Sequence, residues 1–590
     1  MKRLIGQCVD RFFSKRKPVS FSSRLMIDSK KDNKNKISKT YSRVLTLVVV
    51  SMSQSAFAQQ LPSAGSQLQQ LPPLRLAPRP APVLQIEPPP IAPPVIEAGV
   101  TFAASALHVT GMSVFPESRL ISVAGFVPGA VITLADLQRM AGRITAHYNE
   151  NGYFVARAYL PPQTIADGVV NIAVIEGRYG KIRLNNKSSL RDGIANNRLS
   201  GLQSGDVIAN APLERGLLLL SDVPGVGVAS TLVPGEDVGT SDLLVDVVPA
   251  RRIFGNIEAD NFGNRFTGYY RLGGSVNVSN LLGIGDLASV RGFVSDGGLT
   301  FVRGSYQVPI GLLTVGAAYT RLDYRLGREF APLMAHGSAD IVSVYASYPL
   351  LRSYDANVYL LANGDLKAFH DQVDATGSSS DRHSRVGTLG LSGDQHDSSG
   401  STYWSIGWSI GNLDIRTPEL RALDAVTAQT NGGFHRVNAS IGRLQTISGP
   451  LSIFVAGRGQ LASKNLDISE KMQLGGAYGV RAYPEGEAFG DQGYIVSAEA
   501  RLALEALSRQ VPGYVQLFAF IDHGGITFNR NRFSAAPNSV SLSAVGGGVS
   551  WADDNNFLVR LSYARRLGSA PVLSGPDTLG QFWVQVSKQF

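Results

Sequence analysis

Gly475-Gly476-Ala477-Tyr478-Gly479-Val480-Arg481-Ala482-Tyr483-Pro484-Glu485-Gly486-Glu487 is a glycine-rich loop carrying one arginine, and Phe520-Ile521-Asp522-His523-Gly524 follows about forty residues later. The second stretch ends a strand. Its alternation sets Tyr514, Gln516, Phe518, Phe520 and Asp522 on one face, and Val515, Leu517, Ala519 and Ile521 on the other. The second face is wholly aliphatic, so the face of Asp522 looks onto something polar. A strand that is apolar outside and polar inside is what a membrane barrel requires. A carboxylate facing a lumen needs a partner, and Arg481 offers a planar, permanently charged fork. Such a pair is worth about 1–3 kcal/mol, and less where water reaches it.

Together the two stretches resemble the signature motifs of outer-membrane transporters related to the BamA superfamily. In that family a Val-Arg-Gly-Tyr loop folds back into the barrel, and its arginine meets the aspartate of a Phe-x-Asp-x-Gly strand. Phe520, Asp522 and Gly524 match the second motif in full, and Val480, Arg481 and Tyr483 match the first. Ala482 stands where the family usually has glycine. An alanine held at positive φ is strained by about 1 kcal/mol or more. Either the turn does not need that angle here, or the loop tip is shaped differently.

A chain of 590 residues is too long for one compact domain. Its formal charge of +9 suggests a nucleic-acid partner, but residues 1–58 hold thirteen Lys/Arg against three Asp/Glu, which accounts for the whole excess. The body is near neutral, and no nucleic acid is expected. The one cysteine, Cys8, lies in the same leader, so the rest of the chain has neither disulfides nor thiol chemistry. The leader reads as an extended signal peptide: a basic region from Lys2 to Arg43, the apolar run Val44–Val50, and the small-residue pattern Ala56-Phe57-Ala58, with cleavage after Ala58. The apolar run is too short to span a bilayer. Export to the periplasm follows.

Residues 59–98 are punctuated by prolines from Pro62 to Pro94 and read as a semi-rigid, extended linker. Related transporters often carry a plug helix here, but only Ala64 to Gln70 suits a helix, about two turns, so the segment is assigned to linker. Between residues 99 and 250 small α/β units are expected. Thr133-Leu134-Ala135-Asp136 is an N-cap with a carboxylate three residues on, and Leu134, Leu137, Ala141, Ile144 and Tyr148 follow at helical spacing. Asn151-Gly152 stops this helix. Strands over Tyr153–Leu160 and Gly168–Ile175 follow, and Glu176-Gly177 closes the unit. This order resembles the ShlB-type POTRA domain of two-partner secretion transporters and is assigned to residues 99–177. A second, weaker unit covers 178–250, with a helix over Leu213–Leu220 and strands at Val226–Val233 and Leu243–Val248. The exposed sheet edge of such a domain can accept an extended segment of another chain.

From residue 251 to 590, short alternating strands recur with Gly/Asn/Asp/Ser punctuation, as in Tyr269–Val278, Leu287–Val294, Val342–Tyr348, Val358–Leu361 and Phe557–Tyr563. The length allows about sixteen, and only closure removes the sheet edges. The fold class is therefore α+β periplasmic domains followed by a transmembrane antiparallel β-barrel, with a lumenal loop around residues 475–491. Asp260–Asn264 leading to Gly283-Ile284-Gly285-Asp286 resembles the family's opening hairpin, and Tyr306–Gly311 its next turn. The end of the chain alternates and finishes in Phe590, which resembles the strand read by the outer-membrane assembly machinery.

Gly407-Trp408-Ser409-Ile410-Gly411 matches the Gly-x-Ser-x-Gly of serine hydrolases, but that motif needs a strand–turn–helix elbow, and this segment alternates as one continuous strand. The eight histidines show no metal-ligand spacing, and Gly180-Lys181 is followed by isoleucine, so it is no phosphate loop. No enzyme, cofactor or metal is expected. The resemblance, over about residues 100–590, implies a two-partner secretion transporter. Its partners would be an unfolded exoprotein (adhesin, haemolysin or contact-dependent toxin), outer-membrane lipids and the assembly machinery. Two alternatives stay open: an insertase of membrane proteins, which usually carries more POTRA repeats, and a passive porin, which needs none.

Overall fold

The computed structural model describes residues 61–71, 83–86, 101–508, 512–553 and 555–590. The leader of residues 1–58, its cleavage point after Ala58 and Cys8 lie outside the described residues, as do most prolines of the linker.

Two parts of that linker are structured, which corrects its assignment as mere tether. Residues Ala64–Gln69 form helix α1, and Val83–Ile86 form strand β1. Both are proline-free windows in a proline-rich stretch, so every residue in them keeps its backbone N–H. Strand β1 pairs in parallel with a strand of the second domain, with Leu84 packed against that domain's core. Helix α1 lies inside the barrel.

The first α/β domain contains β2 (Thr101–Ala104), β3 (Ala106–Thr110), α2 (Glu117–Ala124), β4 (Ala130–Thr133), α3 (Leu134–Glu150), β5 (Arg157–Tyr159) and β6 (Val169–Ile175). Helix α3 starts on the capping box of Thr133 and Asp136, where Asp136 N donates to Thr133 Oγ1 at 3.1 Å and Thr133 N to Asp136 Oδ2 at 2.8 Å. Leu137, Ala141, Ile144 and Tyr148 face the core. The helix ends at Asn151, and Gly152 takes φ +87°. The strand expected from Tyr153 shortens to β5. Tyr153 packs edge-on against Phe115 and Tyr148, and its N–H bonds Tyr148 O at 2.9 Å, which turns the chain before it can pair.

Glu176 closes this domain. Its carboxylate accepts from Ser113 N at 2.6 Å, Val114 N at 2.8 Å and the Tyr148 hydroxyl at 2.8 Å. Burial alone would raise its pKa, but these donors outweigh it and hold the carboxyl below its ordinary value.

The second domain contains β7 (Arg178–Asn186), α4 (Asp192–Arg198), α5 (Asn210–Ser221), β8 (Val226–Pro234) and β9 (Thr240–Pro249), with sheet order β1-β8-β9-β7. It touches the barrel at two turns. Asp222 receives a bidentate pair from Arg352 at 2.8 and 2.9 Å, and Arg191 N donates to Gly283 O at 2.9 Å. The turns at 280–286 and 353–355 therefore lie on the domain side.

Sixteen antiparallel strands close the barrel. They begin with β10 (Ile253–Asp260), β11 (Arg271–Ser279), β12 (Leu287–Ser295), β13 (Leu299–Ile310), β14 (Leu313–Arg325) and β15 (Ala335–Arg352). Next come β16 (Ala356–Val373), β17 (Ser378–Asp397), β18 (Gly400–Ile415), β19 (Gly432–Ser448) and β20 (Leu451–Ala462). A loop carrying β21 (Met472–Gln473) and β22 (Phe489–Gly490) intervenes. The wall resumes with β23 (Gln492–Ala503), β24 (Tyr514–Thr527), β25 (Ser539–Ala552), β26 (Phe557–Leu567) and β27 (Gly580–Gln589). Neighbours pair in chain order, β20 pairs β23 across the loop, and β10 closes on β27 from Asn256↔Gln589 to Asp260↔Gln585.

The pleat sorts residues as a membrane barrel demands. On β24, Ile521 is 52% exposed and Asp522 0%. The alternation breaks only at the rim, where Tyr514 is exposed and Val515 is buried, next to the short helix Glu505–Ser508. On β18, Ile406, Trp408 and Ile410 face out while Ser409 turns in to bond Thr388 Oγ1 at 2.8 Å, so the hydrolase-like pentapeptide is a continuous strand.

Candidate functional site

The loop between β20 and β23 folds into the lumen because its base is bonded to the wall. Gln460 Nε2 donates to Glu470 O at 2.9 Å and Asp491 O at 3.1 Å. Asp491 takes Leu466 N at 3.0 Å, Arg530 N at 2.8 Å and the Lys471 ammonium at 3.0 Å. Glu470, fully buried, pairs with Lys367 at 2.6 Å and Arg436 at 2.9 Å. Toward the tip the loop bonds itself: Leu474 N to Ala488 O, Val480 N to Leu474 O, and Gly476 N to Tyr483 O. Gly476 needs to be glycine. Its φ is +97°, and a Cβ there would lie 2.2 Å from the Glu485 carboxylate, which accepts from Ala477 N at 2.8 Å.

The structure brings Arg481 and Asp522 together. Arg481 Nε and Nη2 donate to the two Asp522 oxygens at 2.8 and 2.7 Å, and its own backbone N–H adds a third bond at 3.2 Å. Ser497 Oγ donates to Asp522 at 2.7 Å. The guanidinium carbon lies 3.3 Å from the centre of the Phe520 ring. Gly524 is where the loop rests on the strand: a Cβ would sit 2.7 Å from Leu474 Cδ1 and 2.8 Å from Tyr494 O. Val480, Ala482 and Tyr483 are fully buried in one apolar cluster with Leu474, Phe518 and Phe520. Tyr483 Oη donates to Ala570 O at 3.3 Å. Ala482 is not among the residues with positive φ, so the missing glycine brings no strain.

Three partners were not singled out in the sequence. Glu499, 3% exposed, accepts from Arg481 at 2.9 Å, Arg501 at 2.8 Å and Arg560 at 2.9 Å, so one carboxylate gathers three guanidiniums. Ser497 bridges Arg481 and Asp522. Trp583 Nε1 donates to Arg481 O at 2.7 Å, and its ring meets Phe262 edge-on. A signal for Glu499 existed: Ser497, Glu499 and Arg501 alternate with Val496, Ala498, Ala500 and Leu502.

Helix α1 sits beside the loop base. Ala64, with Leu61, Leu68 and Leu71 against it, packs among Phe301 and Leu322 of the wall and Phe266 of the loop between β10 and β11. Its N-terminal Ala64 N–H donates to Asp371 Oδ1 at 2.8 Å, which also accepts from Tyr324 Oη at 2.8 Å, while Asp371 Oδ2 accepts from Arg382 at 2.6 Å. Thr267 Oγ1 donates to Gln67 Oε1 at 3.0 Å, and Gln69 Nε2 donates to Ser469 O on the loop. A Cβ on Gly65 would meet Ser469 Cβ at 3.0 Å.

Phe590 lies apart from this cluster, at the domain-side end, where its N–H and C=O each bond Gly255 at 3.0 Å. Among the described residues, no group of three His, Cys, Asp or Glu is placed to hold a metal ion. No described helix is long and apolar enough to cross a membrane, which says nothing of strands.

Comparison with known proteins matches both halves of the chain. The family described as haemolysin secretion/activation protein ShlB/FhaC/HecB matches residues 239–550, and the POTRA domain, ShlB-type, matches residues 102–177. The heme/hemopexin transporter protein HuxB of Haemophilus influenzae is 31% identical over 471 residues, 78% of this chain and 82% of that protein. The outer membrane transporter CdiB of Dickeya dadantii is 24% identical over 424 residues, 70% of this chain and 74% of that protein. The solved structure of CdiB from Escherichia coli shares the fold, with a TM-score of 0.66 at 18% identity, covering 95% of this chain and 100% of that one.

Proposed function

The chain belongs to the haemolysin secretion/activation family ShlB/FhaC/HecB, and we propose a division of labour for its work as an outer-membrane transporter of two-partner secretion. The POTRA domains capture an unfolded exoprotein in the periplasm by strand addition, and the barrel passes it to the cell surface. The edge of β8 is occupied by β1 of the chain itself, so a client strand pairing there displaces it. The lumen holds two obstructions, α1 and the loop, and the client needs the space of at least one. Arg481, Asp522 and Gly524 hold the loop to the wall, with Val480, Ala482, Tyr483 and Phe520 packing its tip. The periplasm holds no ATP, so folding of the client outside supplies the drive.

The single observation that carries this reading is the buried bidentate bond of Arg481 to Asp522 beneath a closed barrel that also encloses α1. Its setting is a membrane one: outer-membrane lipids face the apolar belt, the assembly machinery reads the strand ending in Phe590, and residues 1–58 act as a signal peptide cleaved after Ala58. The cargo is an exoprotein of adhesin, haemolysin or contact-dependent toxin class. HuxB is a heme/hemopexin transporter protein, so an exoprotein that handles haem or hemopexin is the first to look for.

Culture supernatants of wild type, a deletion strain and an Arg481→Ala strain test this, with barrel insertion checked in each. One large protein should vanish from the medium in both mutants. Unchanged supernatants together with a general decline of outer-membrane proteins would instead identify an insertase.

A further inference from the structure

The exposed cations of residues 178–252, the second POTRA domain and its link to the barrel, fall into two groups. Along β7, Arg178 lies 3.6 Å from Glu176 and Arg183 3.4 Å from Asp242, and Lys181 is paired with Glu236. At the junction with the barrel, Lys187, Arg191, Arg251 and Arg252 are exposed, and none has a carboxylate partner among the described residues.

All four stand on segments bonded to one turn. Arg191 N and Nη2 donate to Gly283 O at 2.9 Å and Leu282 O at 3.4 Å. Ser279 donates to the carbonyls of Arg251 and Arg252, its Oγ to the first at 3.4 Å and its N–H to the second at 2.9 Å. Lys187 precedes Ser189, whose Oγ accepts from Asn280 at 2.9 Å. The tip of the turn carries Leu281 and Leu282, which are 42% and 60% exposed. Immediately above, Ile253 and Val278 pair at the lower end of the lipid-facing wall.

Two bare leucines at the edge of the apolar belt, on a turn bonded to segments that carry four exposed cations without a carboxylate partner, match the boundary between acyl chains and phosphates. We propose that this junction is a binding surface for anionic phospholipids of the periplasmic leaflet. Leu281 and Leu282 dip among the acyl chains while Lys187, Arg191, Arg251 and Arg252 engage the phosphodiester groups. The surface fixes the second POTRA domain against the membrane beside its contacts with the barrel. It requires only that the barrel sit in the outer membrane and is independent of the secretion step. A nucleic acid or an acidic client would meet the cations but would leave the leucines bare.

The test uses the full-length protein in nanodiscs of phosphatidylethanolamine with phosphatidylglycerol or with phosphatidylcholine as the minor lipid. Lipids retained on release into the gas phase are counted by native mass spectrometry. Phosphatidylglycerol should be retained selectively by wild type. Each cation near an anionic surface is worth about fivefold, so the pairs Lys187→Gln/Arg191→Gln and Arg251→Gln/Arg252→Gln should each lower retention about tenfold or more. Lys181→Gln/Arg183→Gln should leave it unchanged. The heat-dependent gel shift of the folded barrel confirms that each variant is intact. Equal retention of both lipids, or an equal drop in the control pair, would overturn the proposal. So would junction variants that keep their phosphatidylglycerol but stop secreting, since the patch would then be a client surface.

Discussion

The loop and helix α1 share one lumen but are fastened by different chemistry. The loop is fastened by charge: Arg481 to Asp522 and Glu499, Glu470 to Lys367 and Arg436, Lys471 to Asp491. Helix α1, Ala-Gly-Ser-Gln-Leu-Gln, has no ionisable side chain and is held by one backbone N–H bond to the Asp371 carboxylate, neutral side-chain bonds and a stripe of apolar side chains. Pulling the loop away would strand buried charges, which costs about 3–5 kcal/mol for each broken pair. Pulling the helix away strands none, because Asp371 keeps Arg382 and Tyr324. Each neutral bond lost is worth about 1 kcal/mol. The loop is thus built to stay and the helix to leave.

The largest expected effect comes from breaking the loop's side of this contrast. Arg481→Ala leaves Asp522 and Glu499 buried with fewer cations, so the tip should detach at a cost of about 3–5 kcal/mol. Proteolysis of the loop in intact cells and loss of the secreted partner would show it. Asp522→Asn should mimic it, and an Asp522→Asn strain that secretes normally sinks the pairing. Next comes Glu499→Gln, which removes the shared anion while leaving the Arg481–Asp522 bond. The midpoint of the barrel's heat-dependent gel shift should fall by an amount between those of Arg481→Ala and wild type, about 1–3 kcal/mol. A smaller effect on stability is expected from deleting residues 61–71. Barrel stability should hold, single-channel conductance in planar bilayers should rise, and secretion should continue.

The smallest effect lies outside the membrane, at Glu176. Its folded pKa lies below the ordinary 4.5, so its contribution is fully present above about pH 4.5 and is lost as pH falls through the folded value. Glu176→Gln should flatten the acid limb of POTRA unfolding followed by circular dichroism, while the neutral-pH baseline drops from the lost acceptor.

What the sequence disclosed divides along the same line. Charged anchors are legible because a charge on the inward face of an aliphatic strand has to be paired, which is how Asp522 points to Arg481. The capping box of Thr133 and Asp136 is equally local. Helix α1 was legible as a two-turn helical window, but its place in the barrel escaped because its apolar stripe, Leu61, Ala64, Leu68 and Leu71, spans too few turns to stand out, and a helix so short is not stable alone. The wall supplies what the segment lacks. Strand β1 escaped for a similar reason, since four residues between prolines become a strand only against β8. Glu499 was readable in principle from the alternation of β23, but nothing local says that one carboxylate serves three arginines.

The most direct measurement locks the helix in place. With Cys8 in the leader as the chain's one cysteine, Gly65→Cys/Ser469→Cys creates a single pair between the helix and the loop base, whose Cβ atoms start 3.0 Å apart and reach the usual disulfide separation of about 3.8 Å once the helix gives by under an ångström. Secretion is then followed under oxidising and reducing conditions. The oxidised transporter should neither secrete nor conduct, and dithiothreitol should restore both. An oxidised transporter that secretes at the wild-type rate would contradict this, because the helix would then stay during transport or the loop would leave with it.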